Sequence, residues 1–101
     1  MKLFIDDERF PPAPESDWTI ARTSHEAMIQ CSTMGMPDFI SFDHDLGGDD
    51  TSMVFIHWLA EKLGDGKLTF PEGFDFYVHS QNPVGAENIR CYMNNLIKVF
   101  G

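Results

Sequence analysis

Residues Ile40 to Gly48 read "ISFDHDLGG": a run of strand formers, then two aspartates flanking a histidine, then two glycines. A loop that only reverses direction is served by Asn, Ser, Gly and Pro. This one concentrates ionisable groups where a strand would end. With Phe39 added, Phe39–Phe42 "FISF" is apolar apart from Ser41, as expected of a central strand in a parallel sheet covered on both faces. The same order recurs twice. "KLFI" at Lys2–Ile5 stops at Asp6-Asp7-Glu8-Arg9, and "FDFYV" at Phe74–Val78 stops at His79-Ser80-Gln81-Asn82. "WTIAR" at Trp18–Arg22 is the remaining strand candidate.

Helices are expected between these runs. Thr23 as N-cap with Glu26 reaching back from the third position forms a capping box, predicting a helix from Ser24 to about Met34 that Gly35 and Pro37 end. Met53, Phe55, Ile56, Leu59 and Leu63 mark a second helix closed by Gly64. Asn82-Pro83 is a cap followed by proline at the first helical position, and apolar residues then recur at helical spacing from Ile89 to Phe100. "FPPAPES", from Phe10 to Ser16, carries three prolines and reads as a tight crossover loop, not a helix. The fold class implied is α/β: an open parallel sheet of about four strands, with about three helices on its faces. Ligands in such sheets bind outside the carboxyl ends of the strands. Asp6, Asp7, Asp43, His44, Asp45, His79 and Ser80 should therefore converge on one edge.

The 101 residues, 43% of them hydrophobic, suit one domain spanning residues 1–101. A formal charge of −9 excludes an extended nucleic-acid surface, which needs clustered Lys and Arg. Any phosphate must be held locally. No apolar stretch approaches the roughly 18 residues of a membrane span, and "MKLFIDDERF" lacks a signal-peptide core, so a cytoplasmic protein with no membrane partner is expected. Cys31 and Cys91 lack metal-ligand spacing and are read as buried free thiols, a disulfide or metal role being the alternative. The two tryptophans and nine phenylalanines are read as core or partly exposed packing.

Neighbouring strands lie about 4.8 Å apart, so Asp6 and Asp7 after one strand and Asp43 after another can crowd a single pocket. Two carboxylates about 4 Å apart repel by about 4 kcal/mol at an effective dielectric of about 20. A divalent cation offsets this most directly, and an all-oxygen donor set points to Mg²⁺ or Mn²⁺; a retained proton on one carboxylate is the alternative. A calcium loop of the EF-hand type is excluded, because the twelfth position counted from Asp43 is Val54, where a glutamate is required. Ser80, Asn82 and the helix start at Pro83 offer a seat for phosphate oxygens, with Arg9 as a clamp or an ion-pair partner. His79 is the candidate for proton transfer, since imidazole titrates nearest neutral pH, and His44 between two acids is a second candidate acid.

"LFIDDER", "ISFDHDLG" and "VHSQNPVGAENI" resemble the three motifs of the cyclic-phosphate-processing receiver domains, a compact offshoot of the response-regulator receiver superfamily found in bacteria and phages. With the segments between them they span nearly the whole chain. The resemblance implies a flavodoxin-like sheet and a metal-assisted acidic site, with Asp6-Asp7 as the acidic pair, Asp43 at the phosphoacceptor position and Ser80 as the hydroxyl residue. Two departures from ordinary receivers are expected: the first helix is replaced by the proline-rich loop, and no fifth strand or following lysine is present. The function expected is a metal-dependent phosphoesterase acting on a cyclic phosphate of a nucleotide, another small molecule or an RNA end. Its rivals are a non-catalytic module that binds a protein or sequesters a ligand, and a degenerate phosphoacceptor domain.

Overall fold

The computed structural model describes all residues 1–101. Four strands, β1 (Lys2–Ile5), β2 (Trp18–Ala21), β3 (Phe39–Phe42) and β4 (Asp75–Val78), form one sheet in the order β2-β1-β3-β4. All pairings are parallel, with Lys2 in register with Trp18 and Phe39, and Phe39 with Asp75. Three helices, α1 (Ser24–Met34), α2 (Ser52–Gly64) and α3 (Pro83–Phe100), alternate with the strands. No helix is long and apolar enough to cross a membrane.

The local signals act with small shifts. Thr23 caps α1 through its side chain on the Glu26 N–H, but the Glu26 carboxylate reaches one residue further back, to the N–H of Arg22 at 2.7 Å. That capture ends β2 at Ala21 instead of Arg22. Gly64 does not close α2; it lies within the last turn, and the reversal falls at Gly66, whose φ of +73° suits glycine. Phe74 is drawn out of β4 by a turn bond to the Pro71 carbonyl. The proline-rich loop holds only a single 3₁₀ turn, Glu15–Asp17.

The helices lie on one face of the sheet, not on both. Leu3, Ile5, Ala21, Ile40, Phe42 and Val78 form one buried cluster with the apolar sides of all three helices, and α2 packs between α1 and α3. Parallel crossovers are right-handed. The steps from β2 to β3 and from β3 to β4 run the same way across the sheet, so α1 and α2 share a face, and α3 packs against α2 on it. The step from β1 to β2 runs the other way, which assigns the second face to the loop that has no helix. On that face Trp18 meets Phe4 and Phe39 edge-on, and Tyr77 is exposed.

One packing expectation changes: Cys91 is exposed, whereas Cys31 is fully buried with its thiol pushed up to about 12 by burial. A thiolate-selective reagent at pH 8 should therefore label one cysteine per native chain, Cys91, and reach Cys31 only on unfolding. Mass spectrometry of the labelled native protein checks this; fast modification of both would contradict the packing of α1.

Candidate functional site

The strand order turns at β1: from there the chain moves one way to β2 and the other way to β3. The crevice between the carboxyl ends of β1 and β3 is where such sheets open a binding site. Asp6, Asp7 and Asp43 meet there, with one carboxylate oxygen of each within 4.8 Å of the others. Asp6 and Asp43 are buried and Asp7 is exposed. The pocket around them is about 230 Å³ and is lined by Asp7, Glu8, Arg9, Asp43, Asp45, Ser80, Gln81 and Asn82. Four acids face one guanidinium.

Asp6 is the most heavily engaged of the three. Its Oδ1 accepts the N–H groups of Glu8 and Arg9, both at 2.9 Å, and its Oδ2 meets His79 Nε2 at 2.9 Å. Burial pushes its carboxyl up, but the bonds from Arg9, Glu8 and His79 outweigh it and leave the group below the usual carboxylate range. Asp43 Oδ1 accepts the N–H of His44, and the Asp43 carbonyl accepts from the buried hydroxyl of Ser52. Gly47, at φ +91°, lets the β3–α2 loop pass close to Asp7 Oδ2. Asp50 reaches back across that loop to the Ser24 N–H and hydroxyl, tying it to the start of α1.

Neither histidine of the sequence reading lines the pocket. His79 lies beneath Asp6, on the helix-free face: its Nδ1 is 2.7 Å from Ser41 Oγ, and its ring stacks on Phe4 at 4.7 Å. With Nε2–H donating to Asp6, the neutral ring leaves Nδ1 to accept the Ser41 hydroxyl. Strand alternation explains the placement, because side chains two apart share a face and adjacent ones do not. His79 goes with Phe4, Asp6 and Ser41, whereas Ser80 points the other way. His44 packs against the first turn of α3 with its Nδ1 3.0 Å from Asp45 Oδ1. Asp45 is held below the ordinary range by His44 and then by Asn82, whose Nδ2 is 3.2 Å away.

The start of α3 offers an anion less than its sequence promises. Pro83 has no N–H, and that of Gly85 is taken by Asn82 Oδ1 at 3.0 Å. Ser80 Oγ accepts the Asn82 N–H at 3.1 Å, leaving its own proton to donate. Arg9 Nη1 donates to the His79 carbonyl at 3.3 Å, its Nε lies 3.7 Å from Asp6 Oδ2, and the residue lines the pocket. Gln81 lines the pocket and was missed by the sequence reading; its position next to Ser80 was the available signal.

Gly85 makes the close fit of His44 feasible. A Cβ there would sit 2.7 Å from His44 Cδ2 and 2.8 Å from Nδ1. Overpacking costs about 1 to 3 kcal/mol, against a gain in helix propensity of up to about 1 kcal/mol. Gly85→Ala should therefore destabilise the wild type by about 1 kcal/mol or more, yet become stabilising in a His44→Ala background. Urea denaturation of the double-mutant cycle checks the reversal of sign.

No curated protein and no solved structure matches this chain. The family model described as "Cyclic-phosphate processing Receiver domain" matches residues 1–95. With that match over nearly its whole length, on a parallel β2-β1-β3-β4 sheet, the chain belongs to the cyclic-phosphate processing receiver domain family.

Proposed function

We propose that the protein is a metal-dependent phosphoesterase that opens a cyclic phosphodiester. The observation that carries this reading is the convergence of Asp6, Asp7 and Asp43 within 4.8 Å, in a pocket whose single cation is Arg9. The donor set fits Mg²⁺ or Mn²⁺. Two oxygens bound to one Mg²⁺ at about 2.1 Å each lie at most about 4.2 Å apart, so the carboxylates need close by well under an ångström. Asp7 and Asp43 would hold the ion, with Asp6 fixed behind them by His79 and the Glu8 and Arg9 N–H groups. A cation there supplies charge neutralisation and Lewis acidity toward a phosphoryl oxygen.

The chain's own groups complete the site. The Arg9 guanidinium and the Ser80 hydroxyl hold non-bridging oxygens, matching developing negative charge with donors already in place. A water oxygen forms a new bond to phosphorus, one ring P–O bond breaks, and the product is a phosphomonoester. Glu8 lines the pocket, and its carboxylate has no hydrogen-bond or ion-pair partner. It accepts the proton from the water and returns it to the departing alkoxide. His79, engaged at both ring nitrogens, holds Asp6 instead of meeting the substrate.

Assays of 2′,3′-cyclic nucleotides and glycerol cyclic phosphate with Mg²⁺ and Mn²⁺ test this reading. Turnover abolished by a chelator is expected. No turnover of any of them with either metal overturns the hydrolase and leaves a binding module.

A further inference from the structure

Asp7, Glu8 and Arg9 line the pocket from one short loop after β1, and the main chain of that loop is held from two sides. From within, Asp6 Oδ1 accepts the N–H groups of Glu8 and Arg9, both at 2.9 Å. From outside, a single side chain takes the carbonyls: Arg22 Nη1 donates to that of Asp6 at 3.1 Å and to that of Arg9 at 2.5 Å. Those two carbonyls bracket Asp7 and Glu8. No hydrogen bond or ion pair holds the side chain of either, so the backbone between the two carbonyls decides where both carboxylates stand.

Arg22 itself stands outside the pocket. It follows β2, and β2 flanks β1 on the side away from β3, so its side chain reaches the loop from behind the β1–β3 crevice. In a chain with 16 acidic residues it forms no ion pair, and its guanidinium goes to main-chain carbonyls instead. Its own position is fixed. Glu26 Oε1 accepts the Arg22 N–H at 2.7 Å, which ties the residue to the first turn of α1, and the exposed ring of Phe10 lies 4.9 Å from the guanidinium carbon. The plain reading of such a contact is a staple that only adds stability. Here the stapled segment carries carboxylates of the metal site, and groups that orient metal ligands change affinity by roughly 10 to 100-fold when removed.

We infer that Arg22 is the positioning residue of the acidic pocket: by holding the carbonyls of Asp6 and Arg9 it places the Asp7 carboxylate for the cation and the Glu8 carboxylate for the water. It touches neither. The metal part rests on the phosphoesterase reading, whereas the placement of the loop does not.

Two measurements on the wild type, Arg22→Gln and Arg22→Lys test this. In metal-free protein, amide exchange at Glu8 and Arg9 should quicken by roughly 10-fold or more in Arg22→Gln while the amides of β1 and β3 keep their protection, as in a local opening. Mn²⁺ affinity measured by calorimetry should fall by roughly 10-fold, and Arg22→Lys, which keeps a charged donor without the planar fork, should recover part of both. The sign is decisive, because removing a positive charge held against this acidic loop by itself strengthens cation binding. An affinity that is unchanged or rises in Arg22→Gln, or exchange that quickens equally across the whole sheet, overturns the positioning role. A wild type that binds no Mn²⁺ removes the phosphoesterase reading, and exchange at Glu8 and Arg9 then decides for or against Arg22 by itself.

Discussion

Asp43→Asn is expected to gain stability in metal-free buffer and to lose most of the response to Mg²⁺ or Mn²⁺. In the wild type the carboxylates of Asp7 and Asp43 face each other in the β1–β3 crevice, with oxygens within 4.8 Å. At an effective dielectric of about 20, two unit charges 4.8 Å apart repel by about 3.5 kcal/mol. An amide removes the charge and keeps the oxygen that accepts the His44 N–H. A cation that binds only the folded state adds RT ln(1 + [L]/Kd), about 2.7 kcal/mol at a hundredfold excess over Kd. For a chain of this size, each kcal/mol moves the melting midpoint by about 4 to 8 °C. The wild type should thus rise by roughly 10 to 20 °C on saturation with metal and the variant by only a few degrees. Calorimetric melts of both proteins with and without metal decide it. An equal response in the two would sink the metal site on Asp43.

The second large effect is a folding one. His79→Ala removes the ring that bridges Ser41 Oγ and Asp6 Oδ2 and stacks on Phe4. Both partners are buried, and a buried group left without its partner costs about 1 to 3 kcal/mol, more when charged. A loss of about 3 kcal/mol, or roughly 12 to 24 °C in the midpoint, is expected. His79→Gln, which can still donate to Asp6, should recover part of it. A histidine acting on substrate from the pocket would show the opposite: normal stability and a failed chemical step.

Asp6 also gives the stability a defined pH dependence. Its folded carboxyl titrates below the ordinary range, so its contribution is complete above the unfolded value near 4 and is lost as pH falls through the folded value. Urea midpoints between pH 7 and pH 2 should fall from about pH 4 downward. Asp6→Asn should start lower at neutral pH and fall less steeply; equal slopes would mean that Asp6 is not the group responsible.

Much of this architecture is legible in the order of residues. Each short apolar run meets its turn chemistry at once, so the limits of β1 and β3 are local facts, as are Thr23 and Asn82 as the caps of α1 and α3. Acids placed after two different strands imply a shared edge as soon as the sheet is parallel. What could not be read is which way each side chain faces once it gets there. His79 and Ser80 are neighbours in sequence, but alternation sends one beneath Asp6 and the other into the pocket. His44 finds its place on Gly85, across the sequence from it, and Asn82 divides its amide between Gly85 and Asp45.

The sequence by itself determined the elements, their parallel order along the chain and the meeting of Asp6, Asp7 and Asp43, because strand periodicity, capping and turn residues act within a few residues of one another. Only the tertiary structure decided that one face of the sheet carries no helix, that His79 serves Asp6 and that Phe10 stands exposed. Those outcomes depend on the direction of each crossover and on contacts between residues as much as 73 positions apart, which no local pattern encodes.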